Sequence, residues 1–363
     1  MELERIDSAT VVELQKQPEP VVIRYSVPVC RCKDCGRKVR GKAPGLAPDQ
    51  HGATAHRFGP RVMAMAHLLH YGFGITVRKV PAVLHATTGL SITSSAITQN
   101  ALKQSEGAVG EAYHKLRNSM RTAPVIYTDD TGWRIGGKNA HLMGFDSDIA
   151  TVYQIREHHR NEEVREIIPA DYAGTMVSDR GKSYDAEALD GTRQQKCVGH
   201  IQHNIADVLE AKTGPARTFG LRLKGLFQEA LALKKSPPAD PENAIEEIED
   251  LQQRLTHQLR DRTLTDDDNQ RLLNGLGAQM DRGRLLTFLY IPEVEATNNR
   301  AERIIRPAVI ARKVSQCSKN ERGANAHSAF MSIIQTAYKS VPAAAQKIQN
   351  ALLALLVGSP ETG

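Results

Sequence analysis

The spacing of apolar residues changes twice along the chain. Over the first 58 residues it shows little periodicity, because prolines interrupt a short strand-like run, VVIRYSV, and a cysteine cluster. From Gly59 apolar residues recur every three or four positions in PRVMAMAHLLHYG and VRKVPAVLHATTG, and each run ends at a glycine, as is typical of helices. Beyond Pro124 the period becomes that of β-strands. The pattern predicts a loop-rich module at 1–58, a helical domain at 59–120 and a β-rich domain after it.

The β-rich part begins with three strand-like segments, PVIYTDD, AHLMGFDS and ATVYQIRE, which turn residues separate. A helix at residues 161–168, the strand TMVSD, a short helix at 184–189 and the strand QQKCVGH follow. The order β-β-β-α-β-α-β predicts an α/β fold with a ribonuclease H-like mixed sheet, in which an antiparallel meander joins parallel strands through helical crossovers.

Helical periodicity then interrupts the sheet domain. The stretch from His200 to about Gly283 holds four helical runs and is too long for a structureless loop. A further helix begins in NNRAERIIR, capped by Asn298 or Asn299 and ending before Pro307, and two amphipathic helices follow it. The predicted segments are the sheet domain at 121–204 and 291–345, an α-helical insertion at 205–290, and a C-terminal helix and tail at 346–363.

The helical domain has the outline of a DNA-binding motif. VRKVPAVLHATTG is followed by LSITSSAITQNALKQ, for which Ser94 is the expected N-cap. Two short helices joined by a glycine-containing turn are typical of a helix-turn-helix, whose second helix enters a major groove. An ordinary helical hairpin is the alternative, because such outlines recur by chance.

Composition narrows the class of protein. The 363 residues carry a formal net charge of +6 and are 40% hydrophobic, which is enough for a sizeable core. No apolar run is long enough to cross a membrane and the N-terminal segment is charged, so we expect a cytoplasmic protein with no membrane partner. Basic residues cluster at 30–42 and 300–322, and this distribution favours a polyanionic partner.

Three of the five cysteines, Cys30, Cys32 and Cys35, are crowded into CRCKDCG. Such crowding fits a metal site or reduced thiols better than a disulfide framework. Because a closed zinc site needs four ligands, His51 or His56 would have to complete it. Bound Zn²⁺ and a degenerate knuckle with free thiols are both open.

Two acids follow apolar strands. The run VIYTDDTGW ends as a strand at Asp129 and Asp130, and Asp179 ends the strand TMVSD. If these strands are parallel neighbours, both carboxylates leave the same sheet edge, where open α/β sheets place ligands. Glu302, in NNRAERIIRP, is a candidate third acid on a helix. Each acid alone is typical of a turn or an exposed helix face, but together they predict one site.

Three converging carboxylates repel one another unless divalent cations neutralise them. Magnesium is the expected occupant, with manganese as a substitute, because it takes carboxylate oxygens and keeps waters that phosphate oxygens replace. Two such ions can activate the attacking oxygen and stabilise the leaving oxygen of a phosphodiester displacement. Basic residues near Glu302 suit phosphate binding. They are Arg300, Arg303, Arg306, Arg312 and Lys313.

These motifs resemble those of the insertion-sequence-66 family of DDE transposases. YTDDTGW is similar to the first-acid motif, which makes Asp129 the catalytic residue and Asp130 a variant neighbour. VSDRGKSYD resembles the second-acid motif and gives Asp179. TNNRAERIIRPAVIARK resembles the third and gives Glu302. CVGH is similar to a Cys-x-x-His element of such transposases. In the cysteine-containing module the chain departs from the family, whose members usually carry paired Cys-x-x-Cys motifs.

The resemblance implies a bacterial, nucleoid-associated enzyme that binds the terminal inverted repeats of a mobile element. It implies cleavage at the element ends and transfer of the 3′-hydroxyl to target DNA by two-metal catalysis, with at least a dimer on DNA because two ends must meet. A ribonuclease H-like nuclease that does not join strands, and an inactive DNA-binding accessory, are the alternatives.

Several residues are expected to support this site. They are Asp130, Cys197, His200 and Asn299. A buried cysteine on the fifth strand is most often core, so a structural or substrate-positioning role is expected for the Cys197–His200 pair. Trp133 is expected to anchor packing, with contact to unpaired DNA as the alternative. His158 and His159 are expected to face solvent in a turn.

Overall fold

The structure is a computed structural model that describes residues 19–41, 58–260, 263–315, 317–340 and 345–357. Near its start, β1 (Val29–Arg31) and β2 (Lys38–Arg40) form an exposed antiparallel hairpin. Gly36 turns the chain with φ of 68°, a conformation that favours glycine. The hairpin turn therefore brings the three clustered cysteines of this module to one end.

The helical domain contains four α-helices, of which the first continues into a π-helical turn at Leu68–Gly72. The helices are α1 (Pro60–His67), α2 (Val80–Thr88), α3 (Ser94–Ser105) and α4 (Ala108–Ser119). The N-cap of α3 is Thr93, not the predicted Ser94, because the Ala96 N–H donates to Thr93 Oγ1 at 3.2 Å. Gly89 ends α2 in the left-handed conformation. Apolar residues from α1, α2 and α3 share a small core of their own.

Five strands form the central mixed sheet in the order β5-β4-β3-β6-β7. They are β3 (Val125–Ile135), β4 (Lys138–Asp146), β5 (Thr151–Arg156), β6 (Thr175–Ser178) and β7 (Arg193–Lys196). β3, β4 and β5 are an antiparallel meander, whereas β6 and β7 run parallel to β3. The mixed sheet with its many helices confirms the predicted α/β class.

Two predicted strand ends are wrong. β3 does not break after Asp130 but continues to Ile135, because β4 pairs with it as far as Lys138 and satisfies its backbone. β7 ends at Lys196, so Cys197 is not on the fifth strand but is the residue before the helix α6 (Val198–Ala211).

The crossovers between the parallel strands are also shorter than predicted. α5 (Asn161–Arg165) stops three residues before the expected end of its helix. In place of the second crossover helix there are two 3₁₀ turns, Lys182–Tyr184 and Glu187–Leu189. Tertiary packing of Tyr184 and Leu189 in the core holds these turns without an α-helix.

The insertion is helical, as predicted. It contains α6, α7 (Gly214–Lys235), α8 (Pro241–Leu259), α9 (Asp267–Asp281) and the short α10 (Thr287–Tyr290). These helices share a core with Val125, Tyr127 and Val177 on one face of the sheet. The insertion thus covers the face toward which the odd-numbered residues of β3 point.

The chain ends with α11 (Asn299–Ser315), α12 (Glu321–Ser340) and α13 (Ala345–Val357). The predicted stop of α11 before Pro307 is wrong. The proline lies inside the helix, whose buried Ala301, Ile305 and Ala308 pack against the sheet on both sides of the missing hydrogen bond. α12 covers the opposite face. Among the described residues, no helix is both long and apolar enough to cross a membrane.

Candidate active site

The first two predicted acids lie where β3 and β6 stop pairing. The parallel ladder ends with Tyr127 opposite Val177. Continuing the same register by two residues brings Asp129 opposite Asp179, and both residues are partly buried. The two carboxylates therefore occupy neighbouring positions at one sheet edge, although Asp129 lies within its strand and not at the strand end.

Backbone donors hold both carboxylates in place. The Gly181 N–H donates to Asp179 Oδ1 at 2.8 Å, and the Asp130 N–H donates to Asp129 Oδ1 at 2.9 Å. Each carboxylate keeps its second oxygen for another partner. Gly181 belongs to the loop that follows β6. The hydrogen bond from its N–H therefore lets this loop hold the Asp179 carboxylate in place.

The pKa of Asp129 is raised to about 6. Burial is the main cause, and the negative charges of Asp130 and Asp179 add to it. The hydrogen bond from the Asp130 backbone and the nearby His200 act in the opposite direction. Ionisation of this carboxylate therefore costs free energy when no cation is bound. A bound divalent ion would offset that cost.

Glu302 reaches the same region from the first turn of α11. The preceding Asn298 is buried and fixes the helix start: its Nδ2 donates to the Thr128 carbonyl at 2.8 Å, and its N–H donates to Cys197 Sγ at 3.2 Å. The Asn298 carbonyl in turn accepts the Glu302 N–H at 3.1 Å. Asn298 thus anchors Glu302 beside β3, whereas the predicted supporting residue Asn299 is exposed.

His200 links the acids electrostatically. Its ring, the Cys197 sulfur and the Glu302 carboxylate have ligand atoms within 4.8 Å of one another. A hydrogen bond with Cys197 is the main cause that raises the pKa of His200 to about 9, and Glu302 and Asp179 also contribute. At neutral pH His200 is therefore a cation. It interacts electrostatically with all three predicted acids, since it also lowers the pKa of Asp129.

The donor set fits a hard divalent cation. Asp129, Asp179 and Glu302 offer carboxylate oxygens that are partly buried, and the charge of Asp179 contributes to the raised pKa of Asp129. Among the described residues, however, the compact three-ligand group in this region is Cys197, His200 and Glu302, and the three acids are spaced more widely than that group.

The predicted phosphate-binding residues have different surroundings. Arg300 is partly buried and is held in ion pairs: its guanidinium nitrogens lie 2.7 Å from Asp148 Oδ1 and 3.2 Å from Asp146 Oδ2, and the group is 4.8 Å from the centre of the Tyr127 ring. Arg312 Nη1 donates to the Gly132 carbonyl at 2.6 Å. The remaining three basic side chains are exposed along α11. They are Arg303, Arg306 and Lys313.

His159 was predicted to face solvent, but the structure buries most of its side chain. Its side chain is 11% exposed, and its Nδ1 lies 3.2 Å from Asp130 Oδ1. His158 is exposed, in agreement with the prediction. Nothing in the sequence pattern distinguishes the two histidines, because the contact depends on how the loop after β5 folds against β3. Trp133 is buried and its Nε1 donates to Ser318 Oγ at 3.1 Å, which confirms a packing role.

The cysteines of the N-terminal hairpin are free and exposed thiols. Within the described residues, Cys30, Cys32 and Cys35 do not form a group whose sulfurs all lie within 4.8 Å. The candidate fourth ligands His51 and His56 lie outside the described residues. Zinc binding by this module stays a prediction.

Comparison with known families decides the membership of the chain. The family described as Transposase IS66 family matches residues 55–326, a span that contains Asp129, Asp179 and Glu302 and more than half of the chain. The chain belongs to the Transposase IS66 family. This confirms the resemblance that the motifs indicated. Transposases of this class move insertion sequences, so membership implies DNA as the partner. Curated proteins give no significant match.

Proposed function

We propose that the protein is a DDE transposase with a ribonuclease H-like catalytic domain. It binds the terminal inverted repeats of its mobile element, hydrolyses phosphodiester bonds at the ends and transfers the 3′-hydroxyl ends to target DNA. The observation that carries this proposal is the neighbouring register of Asp129 and Asp179, with Glu302 coupled to them through His200. The strand order of the sheet, an antiparallel meander beside two parallel strands, supports the fold assignment.

Asp129, Asp179 and Glu302 would hold two magnesium ions, for which manganese can substitute. When bound, these ions supply activation of the attacking oxygen and neutralisation of the leaving oxygen. The chain itself contributes position and charge. Asn298 and Cys197 hold the start of α11, and the Gly181 N–H orients the Asp179 carboxylate. Water and then the freed 3′-hydroxyl would attack phosphorus directly, so no covalent enzyme intermediate is needed.

Two surfaces are suited to DNA. In the helical domain, α3 buries Ile97 and Ala101 and exposes the polar side chains of Ser95, Thr98 and Gln99, which can reach base edges. On α11, the exposed Arg303, Arg306 and Lys313 can contact phosphates near Glu302. Since two element ends must be brought together, the active species is at least a dimer on DNA.

A strand-transfer assay tests the proposal. Labelled duplexes that carry the ends of the element are incubated with target plasmid and Mg²⁺. Wild type is compared with Asp129→Asn and with Asp171→Asn, an exposed acid in a turn of the same domain. We expect joined products from wild type and Asp171→Asn and none from Asp129→Asn.

Other outcomes separate the alternatives. Cleaved but unjoined ends from wild type would identify a nuclease without strand transfer. Binding of the ends with neither cleavage nor joining would identify an accessory protein. Equal joining by wild type and Asp129→Asn would overturn the catalytic assignment.

A further inference from the structure

A second group of potential metal ligands lies across the sheet from the acid pocket. Asp130, His141 and His159 have ligand atoms that all lie within 4.8 Å of one another. The Nδ1 of His159 is 3.2 Å from Asp130 Oδ1, and the Nδ1 of His141 is 3.4 Å from Asp130 Oδ2. Each carboxylate oxygen therefore faces one imidazole nitrogen.

This group lies on the other face of the sheet from Asp129. Side chains alternate along β3, so Asp130 points with Ile126 and Asp129 points with Tyr127. Ile126 and Met143 belong to the core beneath α12, whereas Tyr127 belongs to the core of the insertion. His141 is on the face of Met143, two residues away on β4. The two candidate sites are thus adjacent in sequence but separated by the sheet.

The contacts of His159 suit a metal ligand. Its other nitrogen, Nε2, lies 3.1 Å from Ser183 Oγ, and its ring packs edge-on against Tyr184. A hydroxyl at Nε2 occupies one ring nitrogen and leaves Nδ1, which faces Asp130, as the ligand atom, and such an outer partner is typical of histidines that bind metals.

We propose that Asp130, His141 and His159 bind a divalent transition-metal ion, with zinc as the best match. Two imidazoles and one carboxylate suit zinc, and they suit magnesium poorly because magnesium prefers oxygen ligands. The partial exposure of His141 leaves room for water as a further ligand. This site goes beyond the transposase chemistry and does not depend on it.

The bound ion would connect three segments. Asp130 is on β3, His141 is on β4, and His159 is in the loop between β5 and α5. Through Ser183, His159 also contacts the loop that follows Asp179. Zinc at this position would therefore restrain the strand and the loop that carry the first two acids of the opposite face.

Zinc stoichiometry tests the proposal. The full chain is dialysed against Zn²⁺ in excess Mg²⁺, and bound zinc is measured by elemental analysis. Wild type is compared with His141→Ala, His159→Ala and the matched control His158→Ala, an exposed neighbour outside the group. Because the thiols and the acid pocket are the same in all four proteins, any zinc that they bind cancels in the comparison.

We expect wild type and His158→Ala to hold about one zinc per chain more than either ligand variant does. Equal zinc in all four proteins would overturn the proposal and leave Asp130 in direct contacts with the two histidines. If His159→Ala does not fold, His141→Ala decides alone, because its side chain is 39% exposed and its loss leaves no large cavity.

Cobalt substitution provides a second readout. The difference between the cobalt spectra of wild type and His141→Ala isolates the proposed site. It should contain ligand-field bands without sulfur-to-cobalt charge transfer, since the proposed site has no thiolate. A charge-transfer band in this difference spectrum would assign the metal to a cysteine site and overturn the proposal.

Discussion

At the scale of single residues, Asp129 is an acid whose surroundings disfavour its charged form. It is partly buried beside two other carboxylates, and its pKa is raised from 3.8 to about 6. A carboxyl whose pKa is raised on folding binds its proton more tightly in the folded state. The resulting stability is fully present below pH 3.8 and is lost as the pH rises through about 6. The metal-free pocket therefore lowers the free energy of unfolding at neutral pH.

Asp129→Asn should stabilise the metal-free protein at neutral pH. The amide keeps the hydrogen bond from the Asp130 N–H but carries no charge, so we expect a gain of about 1–3 kcal/mol in the free energy of unfolding near pH 8 and little change near pH 4. Urea unfolding in EDTA measures this difference. Added Mg²⁺ should then stabilise wild type more than the variant, and a variant with no gain in EDTA would show that the carboxylate is not destabilised.

Lys196 is the most deeply buried charge near the second acid. Its side chain is 0% exposed, and its Nζ lies 2.7 Å from Asp185 Oδ1. Arg284 and Gln279 also contact Asp185, which belongs to the loop after Asp179. Burial lowers the pKa of Lys196, while Asp185 favours its charged form. Asp185 therefore neutralises the buried amine and connects the loop to the insertion.

Asp185→Asn should destabilise the fold by about 3–5 kcal/mol, because it leaves the buried ammonium of Lys196 without its counter-charge. Glu187→Gln, an exposed acid in the same loop, should change stability by less than about 0.5 kcal/mol. Urea unfolding of both variants checks this expectation. Similar stabilities for the two variants would contradict a role for Asp185 in compensating the buried charge.

At the scale of elements, helix caps show how far local chemistry determines the fold. The sequence SITSSAIT offers several hydroxyls that can cap α3, and the structure uses Thr93. Thr93 has an extended backbone, as an N-cap requires, whereas Ser94 is already helical. The choice depends on backbone conformation and not on residue type.

Thr93→Ala should lower the free energy of unfolding by about 1 kcal/mol, because the Ala96 N–H loses its acceptor. Ser94→Ala is the matched control and should change it by less than about 0.5 kcal/mol, since alanine is favourable at the first helical position. Thermal or urea unfolding distinguishes the two. A larger loss for Ser94→Ala would assign the cap to the predicted residue.

Strands and long helices were predictable from periodicity, but their ends were not. β3 passes through Asp129 and Gly132 because β4 supplies a continuous partner, and no local signal encodes that pairing. α11 passes through Pro307 because its buried face packs against the sheet, which overrides the local cost of proline. In both elements tertiary contacts, which are absent from any short window of sequence, decided the boundary.

The candidate site was only partly predictable, because some of its residues act through tertiary contacts. Asp129, Asp179 and Glu302 lie in motifs with recognisable neighbours, so the sequence could nominate them. Asn298 and His159 could not be singled out, because their roles depend on contacts with Thr128 and Asp130 that the fold creates. Asn298 was nominated only as a helix cap, and the structure gives it a contact with β3 as well.

At the scale of the whole molecule, the sheet separates two environments. The insertion and α11 cover the face that carries the three acids and His200, while α12 covers the face that carries Asp130. The strand order places two of the acids side by side, and the helix after the insertion adds the third. The insertion therefore separates Asp179 from Glu302 in sequence without separating their elements in the fold.

Manganese binding followed by electron paramagnetic resonance tests the shared acid pocket most directly. Wild type, Asp129→Asn, Asp179→Asn, Glu302→Gln and the control Asp171→Asn are titrated with Mn²⁺ in the absence of DNA. If the three carboxylates share one site, each acid variant should bind Mn²⁺ there at least about tenfold more weakly, and the control should match wild type. Wild-type Mn²⁺ affinity in any one of the three acid variants would contradict the account.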